Sequence, residues 1–178
     1  MLLAFAAKAG AQQVAIKTNL LEDAALLAPN LGLEFGLSRH FSIDVRGGIN
    51  QWSDIVSTTT KSMNHWVLSG ELRGWLCEKF NGTFFGVYAH YADYNVGDWK
   101  VPLVFDKEFR FDGTAYGGGV SWGYHWMWAK RWGLEFNLGV GYSLLTYDKY
   151  DKTGKLGRFQ KSYFGPSRAG ITLVFLLK

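Results

Sequence analysis

From Trp132 to Leu145 every second residue is bulky and apolar. Trp132, Leu134, Phe136, Leu138, Val140, Tyr142 and Leu144 alternate with Gly133, Glu135, Asn137, Gly139, Gly141 and Ser143. Successive side chains of a strand point to opposite faces, so this period of two builds one face of large apolar groups and one of small, polar or charged groups. The bulk then decides which face is outside. A small closed sheet has interior room for only a few packed side chains, so the large apolar face must look outward and the small, charged one inward. An outward apolar face requires a hydrocarbon solvent rather than water.

Similar runs recur along the chain at Val14–Leu27, Asn30–Leu37, Phe41–Trp52, Met63–Cys77, Thr83–Val96, Phe109–Trp128 and Ser162–Leu177. With Trp132–Tyr147 they make eight strands, an even number as bacterial membrane barrels require. Ser38-Arg39-His40, Cys77–Gly82 and Ala129-Lys130-Arg131 are short connections. Ser53–Ser62, Gly97–Glu108 and Asp148–Lys161 are long and polar, and Ala28-Pro29-Asn30 is the one short connection on their rim. The expected fold is therefore an all-β, eight-stranded antiparallel up-and-down transmembrane β-barrel, with termini and short turns periplasmic and long loops extracellular. Such a barrel belongs in the outer membrane of a Gram-negative bacterium.

A chain of 178 residues has room for one such barrel and no second folded module. Residues 12–178 are assigned to the barrel. MLLAFAAKAGAQQ resembles the tail of a secretory signal peptide, with a small-residue cleavage site at Ala9-Gly10-Ala11, so residues 1–11 are assigned as a signal remnant. Charged residues are only 19% of the chain, too few for the Lys- and Glu-rich exterior that a soluble barrel of the lipocalin kind needs. A transmembrane helix is excluded because no later stretch of about 18 apolar residues exists, whereas barrel strands need only about 9–11. The single cysteine, Cys77, has no internal partner and is expected buried or in the wall.

The expected lipid-facing set includes Leu31, Leu33, Phe41, Ile43, Val45, Leu68, Leu72, Phe85, Val87, Val120, Trp122, Ile171 and Leu173. Trp75, Trp126, Trp128 and Trp132 cluster beside the short turns and are assigned to a periplasmic aromatic girdle. Trp52, Trp66, Tyr94, Tyr147, Tyr150 and Tyr163 approach the long loops as a second girdle.

Lys17, Glu34, Asp44, Arg46, Glu71, Arg73, Glu135 and Arg168 fall in phase with the small-residue face, with the two signs balanced. Charges inside a closed barrel must be paired or hydrated, which predicts a lumenal salt-bridge plug. The four histidines, His40, His65, His90 and His125, share no metal-ligand spacing, so no metal and no cofactor is expected. His90 is the one candidate general base, in reach of Asp44 or Glu71, while Ser121 and Ser143 face inward without a nucleophile motif. Gly117-Gly118-Gly119 lies inside a strand pattern with no following helix, so it marks a bend or close strand approach and not a phosphate loop. Asn81-Gly82-Thr83 reads as turn chemistry in preference to a glycosylation site.

Lys149, Lys152, Lys155, Arg158 and Lys161 make the last loop basic against Asp148 and Asp151. Outer-membrane lipid and the phosphates of lipopolysaccharide suit such a surface. Nucleic acid does not, because the chain offers no stacking groove or recognition helix.

VAIKTNLLEDAALLAPNLGLEFGLSRHFSIDVRGGINQW, RGWLCEKFNGTFFGVYAHYADYNVG, YGGGVSWGYHWMWAKRWGLEFNLGVGY and YFGPSRAGITLVFLLK together resemble an uncharacterised family of small Bacteroidetes-type outer-membrane barrels, known only as a domain of unknown function. KTNLL, WLCEKFNG and AKRW are the more specific pieces, and the likeness covers nearly the whole chain after residue 11. It implies outer-membrane location and gene neighbourhoods shared with fimbrial or OmpA-like proteins, and it carries no catalytic residues. The chain departs from ordinary barrels in ending Val174-Phe175-Leu176-Leu177-Lys178 without a terminal aromatic. The function expected is a structural or interaction role, as membrane partner of a surface appendage or envelope complex. The alternatives are an outer-membrane lipid-modifying or proteolytic enzyme and, second, a narrow channel.

Overall fold

The computed structural model describes residues 13–26, 29–50, 62–97, 110–151 and 154–177. Eight antiparallel strands close into one barrel in sequence order: β1 Val14–Asn19, β2 Asn30–Gly36, β3 Phe41–Asn50, β4 Ser62–Trp75, β5 Gly82–Gly97, β6 Arg110–Met127, β7 Trp132–Asp151 and β8 Gly154–Leu176. The seam is the pairing of β1 with β8, from Ala15↔Leu176 to Asn19↔Thr172. Among the described residues no helix is long and apolar enough to cross a membrane.

The register fixes the tilt. From Ala15 the line of backbone partners runs through Glu34, Asp44, Glu71, Tyr88, Gly119 and Gly141 to Gly165. Ala15 itself pairs with Leu176 at the seam, 11 residues away from Gly165 along β8. That stagger corresponds to strands inclined about 40° to the barrel axis.

Burial follows the alternation. Val87, Leu138, Leu72 and Val120 are 65%, 60%, 51% and 56% exposed, while Lys17, Glu34, Asp44, Arg73 and Glu135 are buried. The apolar side of the sheet is the outside, and its charged side is the core. Gly119, Gly139 and Gly141 line a slot in which the Tyr88 ring lies, and a Cβ at Gly139 would sit 3.1 Å from both the Tyr88 ring and Arg168 Cβ.

Four expectations are corrected. The first run is not a single strand to Leu27: β1 ends at Asn19 and a helix, α1 (Leu20–Leu26), follows. Asn19 Oδ1 accepts the Leu21 N–H at 3.2 Å as an N-cap, and LLEDAAL supplies helix formers with Glu22 and Asp23 in the first turn. The segment 148–161 is not a long loop: β7 runs to Asp151 and β8 starts at Gly154, with pairing to Asp151↔Gly154. From Arg158 to Ser162 every residue is exposed, so no alternation of burial marks this part of β8. Trp75 and Tyr94 are inward-facing and buried, at 3% and 7% exposure. Trp75 shares the parity of Arg73 and Glu71, which overrides its position near a turn. Cys77 is exposed in the turn after β4 and not part of the wall.

The assigned signal remnant, Trp52, Lys152 and most of the two longest connections lie outside the described residues.

Candidate functional site

The sheet register alone brings three carboxylates together. Glu34, Asp44 and Glu71 are direct neighbours on β2, β3 and β4, all on the inner face. Three adjacent anions out of water demand cations between them. Lys17 and Arg73 meet that demand. Lys17 Nζ, from β1, pairs with Glu34, lies 3.3 Å from Asp44 Oδ2 and reaches across to Glu135 Oε2 on β7 at 2.6 Å. Arg73 Nη1 is 3.0 Å from Glu34 Oε2 and 2.9 Å from Glu135 Oε2. Its Nη2 and Nε donate to Glu71 Oε2 at 2.7 and 2.8 Å. The flat guanidinium also stacks over Phe84, 4.4 Å from the ring centroid.

Hydroxyls and an amide occupy further carboxylate lone pairs. Ser42 donates to Glu34, Ser121 donates to Glu71, and Asn137 Nδ2 donates to Glu135 Oε1 at 3.1 Å. Arg168 adds a 3.0 Å pair to Glu71 and a 3.9 Å approach to Asp44. Arg46 is buried in the same lumen, 3.9 Å from Glu22 of α1. All eight charged residues singled out in the sequence thus share one lumen, four of each sign. β1, β2, β3, β4, β7 and β8 are tied across its axis.

Layers above and below complete the stack. Below the charges, Trp75 donates its indole N–H to Ser42 Oγ at 2.8 Å and packs on Phe84 at 4.9 Å and on His125 at 6.1 Å. Below these, Phe80 turns inward from the β4–β5 connection, 3% exposed, and meets Ala15, Val174 and Leu176. Its backbone is left-handed, with φ 62°, which a bulky residue adopts only under local compulsion. Above the charges, Tyr88 bonds Ser167, and α1 is tethered over β1 and β2 by Thr18 Oγ1 to Asp23 Oδ2 at 2.8 Å and Asn30 Nδ2 to Asp23 Oδ1 at 2.9 Å.

His90 does not meet Asp44 or Glu71. Its Nε2 lies 3.1 Å from Ser143 Oγ, and its ring stacks on Tyr88 at 6.1 Å. With Ser143 and not a carboxylate as its hydrogen-bond partner, the imidazole lacks the orienting third group of a nucleophilic triad among the described residues. No group of three or more His, Cys, Asp or Glu among the described residues is arranged to hold a metal.

Of the other singled-out residues, Trp126, Trp128 and Trp132 are exposed on the outer wall near the short turns, at 55%, 48% and 42%. Trp75 is absent from that group. Lys149 lies on β7, and Lys155, Arg158 and Lys161 on β8, so the basic set is carried by a hairpin and not a loop. Sequence reasoning missed the roles of Phe80 and Tyr88. Nothing local distinguishes Phe80, whereas Tyr88 was detectable as a bulky inner residue whose partner on β6, Gly119, belongs to the Gly117-Gly118-Gly119 run.

A family model described as "Protein of unknown function (DUF3575)" matches residues 1–177. No curated protein matches the chain. Among solved structures, the chain resembles the crystal structure of a major outer membrane protein from Thermus thermophilus. The TM-score is 0.50 at 12% identity, over 94% of this chain and 100% of that one, a likeness of fold.

Proposed function

Since the chain belongs to the DUF3575 family of proteins of unknown function, we propose that it is a small, closed, non-enzymatic barrel of the Gram-negative outer membrane that acts through its surface, as the membrane partner of a larger envelope or surface assembly. The observation carrying this reading is the combination of a filled lumen with an oily wall. Among the described residues, buried ionic and aromatic side chains such as Arg73, Glu135, Trp75 and Phe84 fill the lumen, which supports a closed barrel over a channel, and the wall has the height of a bilayer. On β7, Trp132 and Tyr142 are both outward-facing and exposed at 42% and 46%. Their separation of about ten residues, at about 3.3 Å rise and about 40° tilt, spans about 25 Å, the height of the apolar band of outer-membrane barrels.

Tyr116, Tyr91 and Trp66 continue the upper boundary at 46%, 40% and 44% exposure, with the Trp66 and Tyr91 rings 5.3 Å apart. Trp126, Trp128 and Trp132 form the lower one, at the depth where indole N–H groups meet lipid headgroups. The short turns and both described ends of the chain then face the periplasm. The β5–β6–β7–β8 strands project outward beyond the lipid as a sheet, a platform for contact with another macromolecule.

The test is a mild-detergent extraction from native membranes, followed by affinity capture and mass spectrometry. A stoichiometric envelope or surface protein is expected with the barrel. A barrel recovered alone contradicts the interaction role, and regular open-channel steps in planar bilayers contradict the closed lumen.

A further inference from the structure

β1 is a short strand beside a long one. It covers the edge of β8 only from Leu176 to Thr172, although β8 continues to Gly154. A row of unpaired N–H and C=O groups is a template for another strand, and natural proteins block such rows where pairing is unwanted.

The lower part of this edge is blocked. Asn19 Oδ1 accepts the Ile171 N–H at 3.2 Å, and Asn19 Nδ2 approaches the Ala169 carbonyl at 3.4 Å. Pro166 has no N–H to offer, and its carbonyl accepts the Tyr163 hydroxyl at 3.0 Å. These are the devices required where a sheet edge lies in hydrocarbon. Beyond them the blocking stops. Phe164 pairs with Tyr142 at the upper boundary of the oily wall, and Ser162 to Gly154 stand above it. By alternation from Pro166, the outward backbone groups belong to Phe164, Ser162, Gln160 and Arg158. Among the described residues no strand pairs with them.

The hairpin carrying this edge is basic. Lys149, Lys155, Arg158 and Lys161 stand against Asp148 and Asp151, and Arg158 and Lys161 are exposed. A second copy of the same edge would set cations against cations, while an acidic strand would have its charges matched. We propose that the β8 edge above the membrane, Ser162 to Gly154, accepts an acidic extended segment of a partner protein as an added strand. The backbone ladder supplies affinity and the flanking cations supply selection. This inference rests on the interaction role above and names the surface that performs it.

The experiment uses the full chain in phosphatidylcholine nanodiscs and two fluorescent probes. One is a short extended peptide alternating Glu with Val and Thr. The other is the same peptide with Lys in place of Glu. The acidic peptide is expected to bind about tenfold or more tighter, with the difference shrinking in high salt. It should slow amide exchange at Ser162, Gln160 and Arg158. Gln160→Pro removes an outward donor while leaving the β7 ladder intact, and should weaken binding about tenfold with the folded gel mobility unchanged.

Equal binding of the two peptides, undiminished binding to Gln160→Pro, or edge amides already protected in the free protein would each overturn the proposal. So would retention of phosphatidylglycerol vesicles by this hairpin with no peptide binding. A folded, inserted barrel that ignores both peptides sinks the edge assignment alone. Absence of any partner in native membranes sinks the interaction role itself.

Discussion

Arg73→Met is the most informative single change, because Arg73 is fully buried and serves three carboxylates at once. Methionine keeps much of the volume over Phe84 and removes the charge. The lumen then holds four carboxylates and three cations, and Glu135 keeps only Lys17 as a close ion partner. Water cannot reach the excess anion, so the cost is that of breaking a buried pair, about 3–5 kcal/mol. Adding Glu135→Gln restores neutrality and leaves an amide that can still accept from Lys17. The double variant should therefore recover about 2 kcal/mol relative to the single one. Urea titration of the protein in lipid vesicles, read by tryptophan emission and by the mobility of the folded band in unboiled gels, measures both. A loss under about 1 kcal/mol for Arg73→Met, or a double variant as costly as the sum of its parts, would refute a dry, mutually neutralising lumen.

Two further substitutions probe the layers around the charges. Gly139→Val should destabilise the barrel by about 1–3 kcal/mol through collision with Tyr88 and Arg168, whereas Gly70→Val, on the outer wall with nothing within 4 Å of its added Cβ, should change stability by less than about 0.5 kcal/mol in the same titration. Phe80→Ala should cost about 3–5 kcal/mol by emptying the short-turn end of the lumen, and should make the amides around Ala15 and Val174 exchange faster.

The wall was legible because it obeys one rule throughout: the narrow interior of a small closed barrel leaves room only for small and paired polar side chains, so bulky apolar residues fall on the opposite, outer face. The ion cluster was legible for the same reason, since Lys17, Glu34, Asp44, Arg46, Glu71, Arg73, Glu135 and Arg168 carry the parity of the small residues. What remained hidden lies where that rule lapses. At Leu20-Leu21 two large apolar residues follow one another, and only the Asn19 cap and the acidic first turn signal a helix. Asp148–Asp151 of β7 and Gly154–Lys161 of β8 read as loop, because from Arg158 to Ser162 every residue is exposed and burial does not alternate, although the Tyr147 and Phe159 rings stack at 6.1 Å. The misplacement of Trp75 was avoidable, because parity with Arg73 already put it inside. Nearness to a turn is a weaker guide than phase along a strand.

Native tryptophans allow a direct test of which side faces lipid. Trp122 is half exposed on the mid-wall and Trp75 is buried in the lumen. Two variants, each keeping one of them with every other tryptophan changed to phenylalanine, can be reconstituted in phosphatidylcholine with brominated acyl chains. Strong quenching of Trp122 and weak quenching of Trp75 are predicted. Quenching of Trp75 equal to or greater than that of Trp122, in protein whose folded gel mobility is intact, would contradict an oily exterior around an ionic core.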